Sequence, residues 1–190
     1  MEDVQVTDAE LLGRVADGDE AALRALVERH TAWLLLRLRR RTPDQELAAS
    51  ALQDTFVAVW RSARSYRGEG DVGAWLWGIA IRQLVSRLRQ RRGPVPVSAA
   101  VVSALSPAVR SAEDELLVAV EHGDLGTALA ALSPELREAL QATVVDGLTT
   151  REAACLLGVP QGTVKSRARL AKARLRAQLV QPERLREGWS

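Results

Sequence analysis

The stretch from Thr149 to Arg176 restricts the fold of this chain more than any other part of its sequence. Thr149 precedes Glu152 by three residues, the spacing at which a hydroxyl and a carboxylate cap the free amides of a helix start. A short apolar segment then leads to Gly158, because glycine readily adopts the left-handed conformation that ends a helix. In a second helix from about Gln161, one side is apolar at about 100° per residue: Val164, Ala168, Ala171 and Leu175. The pattern predicts a helix-turn-helix.

The second helix of this motif carries six cations and no acid: Lys165, Arg167, Arg169, Lys172, Arg174 and Arg176. A solvated surface helix usually mixes charges of both signs. We therefore expect this helix to dock against the major groove of duplex DNA, as the second helix of such motifs does. The candidates for contact with base edges are Gln161, Lys165, Ser166 and Arg169. The candidates for phosphate contact are Arg151, Arg167 and Lys172.

The rest of the chain predicts helices and no sheet, so the expected fold class is all-α. Apolar residues make up 47% of the 190 residues and recur at helical spacing, with no long run of alternating β-branched residues. Helix starts are expected at Thr7, which forms a second capping box with Glu10, and at Asp19, about Asp44 and about Val72. His30 falls on the apolar stripe of the second of these helices, and Trp60 on the apolar side of the third.

Prolines divide the chain into two small helical domains. Pro94, Pro96 and Pro107 are scattered among small residues that can neither sustain a regular helix nor form a core. We therefore expect a first domain over residues 1–93, an extended linker over 94–111, a second domain over 112–181 and a C-terminal tail over 182–190. Within the second domain, Pro134 takes the first position of a helix, where its missing amide costs nothing.

Charge is unevenly distributed, although the formal net charge is only +2. The first twenty residues hold seven acids and the single Arg14, so that end is not expected to contact DNA. A second basic stretch without acids closes the first domain and contains Arg82, Arg87, Arg89, Arg91 and Arg92. The sequence thus indicates two separate basic surfaces.

Several classes of protein are excluded by what the sequence lacks. The lone Cys155 and the isolated His30 and His122 form no metal-spaced set, and there is no phosphate-binding loop and no nucleophile with a plausible base. We therefore expect neither an enzyme nor a bound cofactor. No apolar run approaches the roughly 18 to 20 residues that span a bilayer, and no signal peptide is evident. A cytoplasmic protein without membrane insertion is expected.

Longer segments of both domains resemble one family. Residues 128–179, with "ALAALSPELREAL", "DGLTTREAACLLGVP" and "GTVKSRARLAKARLRAQL", closely resemble region 4 of the extracytoplasmic-function (ECF) sigma factors. In the first domain, "LLGRVADGDEAALRALVERH" and "LQDTFVAVWRSARSYRGEGDVGAWLWGIAIRQL" resemble region 2 of the same family. The resemblance covers nearly the whole chain outside the linker, with both regions in the family's order.

This resemblance implies a bacterial alternative sigma factor that binds core RNA polymerase, reads the −35 promoter element with its second domain and opens the −10 element with its first. It also implies an anti-sigma partner. The family's −10 surface matches Tyr66, Arg67, Trp77, Arg82, Arg87 and Arg89. Its polymerase-binding surface matches Gln53, Asp54 and Arg61.

Some of these residues have a second interpretation. Trp77 is as well placed for core packing as for base stacking, whereas Trp75 is expected in the core. Tyr66 is as well suited to anchoring the loop after the third helix as to stacking on a base. The linker either threads toward the polymerase active-site cleft or is a passive tether.

The chain also departs from the family at a few positions. Ala49 and Ser50 stand where relatives often have acids, which puts the strength of the polymerase contact in doubt. Arg82 replaces a frequent base-contacting Asn, and Ser86 replaces a common Asp. The first of these departures keeps an alternative open: a helix-turn-helix regulator, or a decayed sigma paralogue, that binds DNA without initiating transcription.

Overall fold

The computed structural model describes residues 6–68, 70–92 and 125–180, and these ranges contain helices and no strand. The all-α prediction is confirmed. The chain divides into two compact units, residues 1–94 and 95–190, hereafter unit 1 and unit 2. The predicted linker over 94–111, the start of the second domain over 112–124 with His122, and the tail over 182–190 lie outside the described residues.

The described residues of unit 1 form four α-helices: α1 (Asp8–Ala16), α2 (Glu20–Arg39), α3 (Gln45–Ser62), which continues into a 3-10 turn (Ala63–Ser65), and α4 (Val72–Arg92). Their starts follow from side-chain capping. The predicted Thr7–Glu10 capping box is present at α1, and the Asp19 and Asp44 carboxylates accept hydrogen bonds from the first amides of α2 and α3. The predicted starts of all four helices are therefore confirmed to within about one residue.

The core of unit 1 forms where α2, α3 and α4 pack together. Its fully buried side chains include Leu26 and Leu34 from α2 and Leu76 and Leu84 from α4. Burying one such leucine contributes about 1.5–3 kcal/mol relative to leaving it exposed. Within the described residues, no group of three His, Cys, Asp or Glu side chains is placed to hold a metal ion, and no helix is long and apolar enough to cross a membrane.

His30 is a buried residue of this core with two polar neighbours. Its Nδ1 accepts a hydrogen bond from the Trp33 indole N–H at 2.9 Å, and its Nε2 lies 2.9 Å from a carboxylate oxygen of Asp8. The other ring nitrogen, Nε2, is the one that faces Asp8 at the start of α1. His30 therefore joins the start of α1 to the middle of α2.

The described part of unit 2 starts with a helical segment over residues 125–130 and continues with α5 (Pro134–Leu140), a π-helical turn (Gln141–Val145), α6 (Thr150–Leu157) and α7 (Gln161–Val180). Pro134 occupies the first turn of α5, as predicted. The buried cluster of unit 2 joins α5 to α7: Leu132, Leu136, Leu140 and Ala171, with Leu129 and Leu175 packed against it. This packing fixes which face of α7 points away from the unit.

Gly158 between α6 and α7 has φ 66° and ψ 26°, the left-handed region. Gly158→Ala is expected to lower the free energy of unfolding of unit 2 by about 1–2 kcal/mol, because a Cβ clashes there with the following carbonyl. Gly162→Ala is the matched control: its added Cβ meets nothing within 4 Å and its φ is not positive, so a gain of up to about 0.5–1 kcal/mol is expected. Urea unfolding followed by helical circular dichroism measures both. Equal effects of the two variants would contradict the left-handed requirement.

Candidate nucleic-acid interface

The helix-turn-helix of unit 2 is held by local contacts that fix the orientation of α7. The Thr149 hydroxyl accepts from the Glu152 amide at 3.2 Å, and the Glu152 carboxylate accepts from the Thr149 amide at 2.8 Å. On α7, Val164 and Ala171 are fully buried and Ala168 is 8% exposed. The predicted motif and its buried stripe are confirmed. The opposite face of α7 is consequently turned to solvent.

The outward face of α7 brings together most of the cations predicted to contact DNA. Lys165, Arg169 and Lys172 are exposed, and so is Arg151 at the start of α6. None of these four makes a hydrogen bond or ion pair with any residue that the structure describes. Ser166 is exposed among them, and its hydroxyl donates to the Thr163 carbonyl at 3.0 Å. Its oxygen is left to accept, which suits the amino group of an adenine or a cytosine.

Two of the residues predicted to contact DNA, Gln161 and Arg167, are placed differently from these cations. The Gln161 amide donates to the Thr150 hydroxyl at 2.8 Å and so ties the start of α7 to α6. Arg167 is half-buried near Glu135 of α5. The pKa of Glu135 is lowered by its own backbone amide first, then by the Ser133 hydroxyl and the Arg167 charge. Arg167 thus lies on the side of α7 that faces α5, apart from Lys165, Arg169 and Lys172.

Trp77, a candidate for base stacking, is buried in unit 1. Only 3% of its surface is exposed, and the Arg37 guanidinium lies 4.4 Å from its ring centroid. A ring covered in this way has no free face for an extruded base. The assignment of Trp77 to the −10 surface is therefore wrong, and its core interpretation is correct.

Tyr66 and Trp75 hold the ends of the loop between α3 and α4 together. Their rings meet edge to face with centroids 5.6 Å apart, and the Tyr66 hydroxyl donates to the Gly70 carbonyl at 2.7 Å. Both side chains are half-buried. This geometry is that of a loop anchor, the second interpretation of Tyr66. The loop places Arg67 in solvent.

The basic half of α4 has an exposed part and a paired part. Arg82 and Arg89 are exposed, and Arg82 donates to the Gly78 carbonyl of its own helix at 2.9 Å. Arg87 instead forms a bidentate pair with Asp54 of α3, with N–O distances of 2.5 and 2.8 Å. The family resemblance implies different surfaces for these two residues, and no local pattern in the sequence indicates their contact, which joins positions 33 residues apart.

The outer face of α3 mixes polar and apolar exposed residues. Ala49, Gln53, Val57 and Arg61 follow one another at a spacing of four residues and are all exposed. Trp60 beside them is 37% exposed and Val57 50%. Trp60, predicted on the apolar side of α3, lies at the edge of the buried stripe, next to the exposed face. We call these five residues the α3 outer face.

Two family models of sigma factors match separate parts of this chain, one in each unit. The family model of Sigma-70 region 2 matches residues 26–93, and that of Sigma-70, region 4 matches residues 122–175. The ECF RNA polymerase sigma factor SigM of Mycobacterium tuberculosis is 37% identical over 171 residues, which cover 89% of this chain and 83% of SigM. This chain belongs to the ECF RNA polymerase sigma factors. It is a promoter-recognising alternative sigma factor. A second relative, the ECF sigma factor SigL of the same species, is 31% identical to this chain, and the match covers 86% of this chain and 92% of SigL.

Solved structures similar to this sigma factor include two complexes. One is CnrH with the cytosolic domain of CnrY, at 26% identity and a TM-score of 0.42, covering 92% of this chain and 98% of that one. The other is the RsbN–BldN complex, at 18% identity and a TM-score of 0.37; the match covers 87% of this chain and 97% of the chain in that structure.

The Asp54–Arg87 pair makes the stability of this sigma factor depend on pH. The hydrogen bond from Arg87 is the main cause that lowers the pKa of Asp54, and partial burial opposes it. A carboxylate with a lowered pKa stabilises the fold above the pKa of a free aspartate, about 3.9, and this stability is lost as the pH falls through the folded value. Asp54→Asn is expected to remove this pH dependence.

A double-mutant cycle with Arg87→Gln measures the pair directly. Because both side chains are about a third exposed, the expected coupling is only about 0.5–1 kcal/mol at neutral pH. Asp17→Asn, at an exposed aspartate whose side chain forms no ion pair with the described residues, is the control. Additive effects in urea unfolding would show that the pair does not stabilise unit 1.

Proposed function

We propose that this sigma factor binds core RNA polymerase and starts transcription at promoters whose −35 element is read by α7 and whose −10 element is opened by unit 1. The observation that carries the proposal is the outward face of α7, where exposed cations that have no acidic partner in the described part of the chain stand opposite a buried stripe. We further propose that the chain acts without catalytic activity of its own and in the cytoplasm, where polymerase and promoter DNA meet.

For the −35 element, the proposed reading divides the outward face of α7 into two kinds of contact. Lys165 and Arg169 would contact the acceptors of guanine, and Ser166 would accept from an adenine or a cytosine amino group. Arg151 and Lys172 would hold phosphates on either side. Gln161 is bonded to Thr150 and Arg167 is half-buried on the side of α7 near Glu135, so we propose that they support the placement of α7 and contact DNA only peripherally.

For the −10 element, we propose that Arg67, Arg82 and Arg89 form the cationic track that holds the displaced strand. All three are exposed, and a single strand binds along such tracks with strong dependence on salt. Tyr66, paired with Trp75, would keep the loop in the shape that presents Arg67. Arg87 would act through its pair with Asp54, by fixing α4 against α3.

We propose that the α3 outer face contacts the polymerase. Exposed Val57 and Trp60 rimmed by Gln53 and Arg61 form an apolar centre with a polar edge, the composition typical of a protein–protein interface. Asp54 would position this face through Arg87. An anti-sigma partner that covers the α3 outer face or the outward face of α7 would keep the free sigma factor inactive.

Run-off transcription with core RNA polymerase on a promoter library tests this function and yields both promoter elements. Promoter-specific transcripts from the unchanged chain, reduced by Trp60→Ala with duplex binding intact, are the expected result. Core binding without transcripts would contradict initiation. Binding to duplex DNA without affinity for core polymerase would favour the regulator or decayed paralogue, the alternative that the departures at Ala49 and Ser50 keep open.

A further inference from the structure

Leu170 is a large apolar residue on the outward face of α7. Of its surface, 46% is exposed. At about 100° per residue it lies about 40° around the helix from Ser166 and one turn further along. It therefore stands beside a proposed base-contacting residue.

Leu170 belongs to an uncharged strip that runs along α7 between cations. The strip consists of Ser166, Leu170, Ala173 and Ala177, all of them exposed. On one side of it lie Lys165, Arg169, Lys172 and Arg176, and on the other lie Arg167 and Arg174. Lys165 and Arg169, the proposed guanine contacts, border this strip on one side, so Leu170 lies next to the base edges that they would reach. A single exposed leucine is ordinary on a protein surface, but this one occupies the line along which α7 would face the bases.

We propose that Leu170 contacts the 5-methyl group of a thymine in the −35 element and so selects a T·A pair at that position. Thymine alone presents a methyl group in the major groove, and an aliphatic side chain has no donor or acceptor with which to read any other base. The inference deepens the proposed function and rests on it, since α7 must enter the groove for the contact to form. The contact would make an uncharged side chain one of the residues that select the promoter.

Replacement of thymine by deoxyuridine, which removes only the methyl group, tests the contact. Full-length protein is titrated by fluorescence anisotropy against a −35 duplex taken from the run-off library, with each thymine of both strands replaced in turn. For the unchanged chain, deoxyuridine at one position is expected to weaken binding by about three- to fivefold, the effect of burying one methyl group. Leu170→Ala is expected to weaken binding to the thymine duplex by a similar factor and to be insensitive to deoxyuridine at that position.

Leu179→Ala is the matched control, because Leu179 is a second exposed leucine on α7, 41% exposed and nine residues further toward the C-terminus. It should retain both the affinity and the deoxyuridine effect. Unchanged urea unfolding of the variants establishes that their folds are intact.

The possible failures are distinguishable. If the unchanged chain binds all deoxyuridine duplexes as tightly as the thymine duplex, or if Leu170→Ala keeps the deoxyuridine effect, the thymine contact is overturned while the docking of α7 stands. If the chain binds no −35 duplex from the library, the docking of α7 is overturned and the thymine contact with it.

Discussion

The double variant Lys165→Ala, Arg169→Ala is expected to bind a −35 duplex about 100-fold more weakly than the unchanged sigma factor. A well-formed contact between a cationic side chain and a guanine contributes about 1–3 kcal/mol, and a lost phosphate contact also weakens binding. Both side chains are exposed and make no contact with an acid among the described residues. Their removal therefore leaves no buried charge unpaired, and the whole effect falls on binding.

Anisotropy titrations at several salt concentrations measure this effect and separate its sources. A residue that contacts phosphate lowers the salt slope by about one unit and leaves sequence preference intact, whereas a residue that reads a base relaxes the preference at one position. The control Arg24→Ala, Arg39→Ala removes the same charge from exposed positions of α2 and should change duplex binding by less than about threefold. Unchanged binding by the α7 variant would show that its outward face is not the DNA surface.

The features that were predictable from the sequence depend on neighbouring residues along the chain. The Thr149–Glu152 capping box, the left-handed Gly158 and the stripe through Val164 and Ala171 each involve residues within a few turns of one another. Such contacts form in a helix whatever the rest of the fold does. The helix-turn-helix, and the outward direction of Lys165 that follows from it, could therefore be inferred from the amino-acid sequence alone.

What the sequence did not determine is which of two equally apolar-looking positions becomes buried. Trp60 and Trp77 both lie in periodic apolar segments, yet Trp77 is 3% exposed and Trp60 37%. The face that α4 buries is wide, because Leu76, Trp77, Ile81 and Leu84 are all enclosed. The width of a buried face is set by the packing of neighbouring helices, which periodicity along one helix does not describe.

The Asp54–Arg87 pair escaped prediction for a related reason. It joins α3 to α4 across 33 residues, and one sequence carries no signal for the register between two helices. The pair links the surface proposed for polymerase to that proposed for the −10 element. A substitution at either residue is therefore expected to disturb both the polymerase surface and the −10 surface.

The variant Trp77→Ala is expected to lower the free energy of unfolding of unit 1 by about 3–5 kcal/mol, the cost of emptying a buried aromatic site. Much of the stability of a typical domain, about 5–15 kcal/mol, would be lost. Trp77→Phe, which keeps an aromatic ring at the site, should cost clearly less. Urea unfolding followed by tryptophan fluorescence measures the change in unit 1, because four of the five tryptophans lie at positions 33–77.

Trp60→Ala serves as the matched control, since it removes the same indole from the α3 outer face. Its side chain is 37% exposed, so the free energy of unfolding is expected to fall by less than about 1.5 kcal/mol. Removing a partly exposed indole takes less apolar surface out of the core, and leaves a smaller cavity, than removing a buried one. The two variants should also differ in function: Trp60→Ala weakens core polymerase binding, whereas folded Trp77→Phe still opens the −10 element. If Trp77→Ala unfolded at the same urea concentration as the unchanged chain but failed to open the promoter, Trp77 would be a base-stacking residue. Burial by the Arg37 side chain and the core of unit 1 argues for the opposite result.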